Sequence, residues 1–415
     1  MQQLRSNNTS WYLSLIPLNM AIGAITVIST LLILSLGGTV TEVGLMISSG
    51  VVATIIFSTL WGELSDRTGL RKRYLLLVFI LLAPTFFLLS TASSVPQVVL
   101  YYTLLSVFTS GVASIAVMYT VGTCIGKNWQ KEVATYNSIS SLGTILGFAM
   151  NSLLALFLQL KWLFIISAAL CLISAAMLWK IGRESYMTLE RHAFHIRSLR
   201  DAERLFSPIL HRLDLRHLRI PTSLKKFKPL QLLFLACFIQ WTGVNFYGVG
   251  LTPLMGDLGL SNSAILAINT SIYAVWTLSF AKIAPSLKQD KKKLMNKAIY
   301  GRALLIVGWG ILSLFVTRSF PYALIFFLPL ILTSTFNLLY TILWLPIVTF
   351  TVSSAPEHSK GSSQGELLSV LALSNAFGSA LGGLVMGSMG YAIGFFTAAI
   401  ISVLAVPIIS RIEMN

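Results

Sequence analysis

The feature that most restricts what this chain can become is a series of apolar stretches, each close to the length of a bilayer crossing. A helix needs about 20 apolar residues to span the hydrocarbon core. Such stretches fall at 11–36, 45–61, 74–93, 98–125, 139–160, 162–180, 230–255, 263–284, 298–317, 322–352, 366–388 and 391–410. Lipid offers no partner for open backbone groups, so each stretch is expected to be a helix that satisfies its own. Composition agrees: 55% of residues are hydrophobic and 11% charged, where a soluble domain carries roughly a quarter charged. The expected class is an all-α membrane protein of 12 transmembrane helices.

A net charge of +16 would suggest nucleic acid if it formed one patch. Instead, with the N-terminus inside, 28 of the 30 Lys and Arg fall in loops on that side, and only Lys161 and Arg318 lie outside. That asymmetry is the positive-inside signature, so both termini are expected in the cytoplasm and the basic excess is topological. No nucleic-acid partner is expected. Anionic lipid headgroups are the expected neighbours of these loops.

The longest gap divides the chain into 1–180, a connector at 181–229, and 230–415. The connector carries His192, His195, His211 and His217 among arginines. Their spacing suits an amphipathic helix on the membrane surface, with Leu199, Leu205, Leu210 and Leu213 toward lipid, better than a metal site. Cys124, Cys171 and Cys237 lie in apolar runs without metal-ligand spacing, so neither metal nor cofactor is expected. No Ser-His-Asp set, HExxH or P-loop suggests an enzyme.

The two halves repeat each other. Gly143/Gly147 in the fifth span and Gly378/Gly382 in the eleventh occupy equivalent places. Small residues one turn apart let helix backbones approach closely, so these four glycines are expected packing positions. Duplicated six-helix units are how many transporters are built.

Between the second and third spans lies Gly62-Glu63-Leu64-Ser65-Asp66-Arg67-Thr68-Gly69-Leu70-Arg71-Lys72-Arg73. Two glycines suit a tight turn, and an acid at the bilayer edge can cap another helix's positive end. The loop resembles the signature of the major facilitator superfamily, matching at Gly62, Leu64, Asp66, Arg67, Gly69 and Arg71 and departing at Leu70. The resemblance implies two six-helix bundles that rock about a central site. It also implies that Asp66 latches onto the start of the eleventh helix, near Gly365 and Glu366. The equivalent loop of the second half lacks the Gly-x-x-x-Asp frame, and the fourth span, Tyr101 to Gly126, lacks the arginine common in proton-coupled drug exporters of this family.

None of the 14 acids falls at mid-membrane, which disfavours a central proton relay. Proton coupling, if present, would then fall to Glu63, Asp66 or Glu366. A centre free of charge suits a neutral or amphipathic solute. Helical spacing puts Asn269, Tyr273 and Trp276 on one face of the eighth span and Asn337, Tyr340 and Trp344 on one face of the tenth; the seventh span offers Gln240, Trp241 and Asn245, the first Asn19 and the fifth Asn151. Polar groups are costly in lipid, so each stripe is expected to face inward. The expected function is secondary transport of a small molecule by a monomer in the cell membrane, with the direction read as efflux. The stretch from Gln364 to Gly382 supports that direction because it is similar to drug-efflux members of the family; uptake of a neutral nutrient is the alternative.

Overall fold

A computed structural model describes residues 9–123, 129–182, 229–283, 291–316, 321–354 and 360–412. Among them are twelve long helical passes and no strand. The first pass, α1, is broken: a 3-10 turn (Thr9–Ser14) leads into Leu15–Gly23, and the helix resumes as Ile25–Ser35. The others are α2 (Val40–Thr68), α3 (Arg71–Thr91), α4 (Val95–Thr123), α5 (Trp129–Leu154) and α6 (Leu160–Ile181). The second half comprises α7 (Pro229–Asp257), α8 (Asn262–Ile283), α9 (Lys291–Ser313), α10 (Tyr322–Ser354), α11 (Lys360–Met389) and α12 (Tyr391–Val403, prolonged by Val406–Ile409). Each matches one span expected from hydropathy. The connector histidines and Cys124 lie outside the described residues.

Ten passes are long and apolar enough to cross a membrane by composition alone; α5 and α9 are not among them. The reason is visible in α9, which opens on Lys291, Lys292 and Lys293 and carries Lys297 and Arg302 further in.

Turns are specified locally. Thr39 and Glu42 form a reciprocal capping box that starts α2, satisfying backbone donors that no earlier turn can reach. Gly69 ends the same helix with φ +70°, and its N–H donates to the Ser65 carbonyl at 3.0 Å. A side chain at that φ would clash, so glycine is required there.

The repeat is realised as two matching seams. A Cβ on Gly143 would lie 2.9 Å from the Ile16 carbonyl oxygen, and one on Gly147 2.7 Å from the Met20 Cα. In the second half a Cβ on Gly378 would lie 2.5 Å from the Thr242 carbonyl oxygen, and one on Gly382 2.6 Å from that of Phe246. So α5 packs backbone-to-backbone on α1, and α11 does the same on α7. These contacts hold each set of six together where no hydrophobic force acts between helices.

The two bundles meet at the end away from the 62–73 loop. There Gly44 of α2 packs on Gly383 of α11, and the Thr41 hydroxyl donates to the Gly383 carbonyl at 3.2 Å. Ser152 of α5 and Ser263 of α8 exchange hydroxyl-to-carbonyl bonds of 2.9 and 2.7 Å. Deeper, Phe148 stacks on Tyr273 with centroids 4.9 Å apart.

Candidate functional site

Beneath that junction, α7, α8 and α10 bring five of the candidate aromatics into one cluster. Tyr340 stacks on Trp344 at 5.9 Å and meets Trp241 at 6.0 Å and Trp276 at 6.2 Å, edge to face. Trp241 also contacts Trp344, and Tyr273 contacts Trp276. The three-and-four spacing on α8 and α10 is what places these rings on facing stripes. Phe280, one turn beyond Trp276, joins the cluster. The Trp276 indole N–H is buried and has no hydrogen-bond partner. Rings of this kind offer flat apolar faces with a few polar edges, suited to the body of an organic solute.

The candidate amides behave differently. Asn19, Asn151, Asn245, Asn269 and Asn337 each donate the side-chain amide to the carbonyl four residues earlier, at 2.8–2.9 Å. Asn19 and Asn245 also sit on the glycine seams, their Cβ atoms facing Gly143 and Gly378. The Asn151 side-chain oxygen is buried without a partner, as are both ends of Gln240, which is 1% exposed.

The 62–73 loop forms a clasp within its own bundle. Arg71 is buried; its guanidinium donates to the Asp66 carboxylate at 2.7 Å and to the Met118 carbonyl of α4 at 2.9 Å. Lys72 reaches the Trp179 carbonyl of α6 at 3.2 Å. Arg67 and Glu63 pair one turn apart on α2. Asp66, expected against α11, gives its carboxylate to Arg71 with half its side chain exposed, while Gly365 and Glu366 are also exposed. A Cβ on Gly62 or Gly365 would meet nothing within 4 Å. Of the two glycines expected to form a tight turn, only Gly69 turns the chain; Gly62 lies inside α2, where the helix continues to Thr68.

One expectation needs correcting. The charge asymmetry places Arg302 with the basic run that precedes α9 and leaves the protein's centre without charge; the structure differs. Arg302 is 1% exposed. It lies eleven residues into α9, ~16 Å along the helix. Its guanidinium carbon sits 4.1 Å from the Phe336 centroid and 5.6 Å from that of Tyr340. Nε and Nη1 have no hydrogen-bond partner. The described acids Glu42, Glu63, Asp66, Glu132, Asp257 and Glu366 all lie within two turns of a helix end, and the ion pairs among the described residues are Arg67–Glu63 and Arg71–Asp66. Arg302 lies about one turn inside the apolar span at 298–317, where an arginine costs up to roughly 3 kcal/mol on insertion scales. Stacking on two rings offsets about 2 kcal/mol at best. Sequence offered one signal: Arg302 falls inside the span at 298–317, but the lysines just before it disguise that position.

A separate cavity of about 350 Å³ opens between α9 and α10 toward the far end, lined only by apolar residues such as Leu258, Ile311, Phe315 and Leu324. It lacks the polar groups that would orient a solute, so the aromatic cluster is the better candidate site.

The profile of the Major Facilitator Superfamily matches residues 12–368. The chain belongs to that family. Over 172 residues it is 28% identical to the human lysosomal dipeptide transporter MFSD1, a match covering 41% of this chain and 35% of that protein. The match thus spans about a third of the length of that relative. Among solved structures, a POT family peptide transporter superposes with TM-score 0.73 at 13% identity, covering 99% of this chain and 98% of that one. A D-xylose–proton symporter superposes with TM-score 0.72 at 16% identity, covering 99% and 98%. These likenesses establish the major facilitator fold, all-helical and membrane-spanning, for this member.

Proposed function

We propose that this chain is an alternating-access secondary transporter for a small organic solute with an amphipathic or aromatic body, held on the α7, α8 and α10 cluster. The observation that carries the reading is the convergence of Trp241, Tyr273, Trp276, Tyr340 and Trp344 just below the Phe148–Tyr273 junction between bundles. A solute there touches the surface that must part when the bundles rock. The protein works as a monomer in the cell membrane, with both termini cytoplasmic and its basic loops on anionic headgroups. With the 62–73 loop cytoplasmic, the bundle contacts at the opposite end correspond to an inward-open state. Export is the direction we propose, on the likeness of Gln364 to Gly382 to efflux members. Uptake of a neutral nutrient such as a sugar or small metabolite is the second reading; the relatives this chain resembles include a dipeptide transporter and a D-xylose–proton symporter. Glu63, Asp66 and Glu366 are the proposed carriers if protons couple.

Proteoliposomes tested with sugars, dipeptides and hydrophobic drugs, in both membrane orientations, check this proposal. One class should move and keep moving when an uncoupler is added, because no acid among the described residues lies at mid-helix. Tyr340→Ala should lower that flux about tenfold or more while the unfolding temperature falls only slightly. No movement of any class, or equal losses of flux and stability in Tyr340→Ala, would contradict it.

A further inference from the structure

The core of the second bundle buries several hydrogen-bond donors close together. Arg302 Nε and Nη1, the Trp309 indole N–H and the Tyr247 hydroxyl are all buried, and none has a partner. They belong to one locality. Arg302 and Trp309 lie two turns apart on the same face of α9. Arg302 stacks on Phe336, Tyr247 packs on Phe336 at 4.8 Å, and Tyr247 and Trp309 both contact Phe395. Proteins seldom bury donors in this way without an acceptor that the site is built to receive. A lone positive charge and several N–H and O–H groups together call for an anion that accepts more than one hydrogen bond.

The locality borders the aromatic cluster through a single residue. Tyr340 lies 5.6 Å from the guanidinium on one side and about 6 Å from Trp241, Trp276 and Trp344 on the other. A solute lying on those rings is therefore one side chain away from Arg302. We infer that Arg302 is the anchor for a carboxylate carried by the transported solute, with Tyr340 standing between the two until the solute enters. This rests on the proposed transport reading and narrows its substrate to amphipathic organic acids, including peptides with a free C-terminus. A carboxylate anchor accounts for a charge kept in the core at a cost to stability, since a well-packed apolar residue would be cheaper there. The fork of a guanidinium also fits the two oxygens of a carboxylate better than an ammonium would.

The test uses the full chain in lipid nanodiscs and matched probes that differ only in charge: hydrocinnamate against hydrocinnamamide, and Leu-Phe against Leu-Phe amide. The acids should bind roughly tenfold or more tighter than their amides, the least that a charge-assisted pair of hydrogen bonds yields. Arg302→Gln should bring each acid down to the level of its amide and leave the amide unchanged. Arg302→Lys should keep part of the preference. Without ligand, Arg302→Met should unfold at a higher temperature than the parent, because it removes an unpaired buried charge. Equal affinity of acid and amide in the parent, total absence of binding included, would overturn the assignment. So would an acid preference that survives Arg302→Gln, or a lower unfolding temperature for Arg302→Met. The amide arm separates the two readings: amides that bind on the rings, with no gain from the acid, leave the transporter reading intact and remove only the carboxylate.

Discussion

The two six-helix bundles share a scaffold and spend their charges differently. Both are held by a small-residue seam, α5 on α1 and α11 on α7, with glycines whose added Cβ would strike backbone atoms. In the first bundle the buried cation, Arg71, is fully engaged, with a carboxylate on one side and a carbonyl of α4 on the other. In the second the buried cation, Arg302, stacks on two rings, and its Nε and Nη1 have no hydrogen-bond partner. The first arrangement stabilises the fold; the second leaves hydrogen-bonding capacity unused inside it. One bundle thus carries a closed clasp, and the other the groups proposed to recognise a solute.

The largest effect should come from the element the bundles have in common. Gly382→Leu places side-chain atoms where the Phe246 backbone stands, and backbone cannot move aside as a side chain can. Folded yield by size-exclusion chromatography should fall severely, with a loss of several kcal/mol, roughly 3 or more. Gly62→Leu, in open space, should cost under about 1 kcal/mol. Comparable losses for the two would break the seam argument. A smaller effect should distinguish the clasp from the surface beside it. Arg71→Met removes a buried guanidinium and two hydrogen bonds and should destabilise by about 2 kcal/mol in thermal unfolding. Arg67→Met removes only an exposed pair within one helix and should cost about 0.5 kcal/mol. The smallest effect is expected for Asp66→Asn, whose carboxylate is half exposed. It should favour the state open at the 62–73 end by about 1 kcal/mol, roughly fivefold in population, read from cysteine accessibility at the two ends. Unchanged accessibility would remove Asp66 from the latch and leave it a partner of Arg71 alone.

How much of this was legible without coordinates follows the range over which each signal acts. Every pass was visible as an apolar run because the bilayer imposes its length on each separately. The seams were visible at Gly143, Gly147, Gly378 and Gly382 because a small-residue step repeats within one helix. Tyr273, Trp276, Tyr340 and Trp344 could be assigned to common faces from their spacing, and the structure joins those faces through Trp241. What helical period cannot show is which face meets which neighbour. Asn19 and Asn245 share stripes with plausible contacts, yet their side chains border the glycine seams. Arg302 was hidden for a related reason. A cation shortly after a run of lysines looks like the end of a loop, and only the packing of Phe336 and Tyr247 around it reveals its burial.

The central claim is that the two bundles separate at one end as they close at the other. Spin labels on Gly62→Cys and Gly365→Cys occupy positions where an added side chain meets nothing, so their separation reports the gap at the 62–73 end directly. Adding Gly44→Val, which forces a side chain onto Ser379 and Gly383 at the opposite end, should wedge that end apart. The account predicts two label distances in the parent and a shift toward the shorter one in the Gly44→Val background. A single distance, unmoved by the wedge, would contradict it.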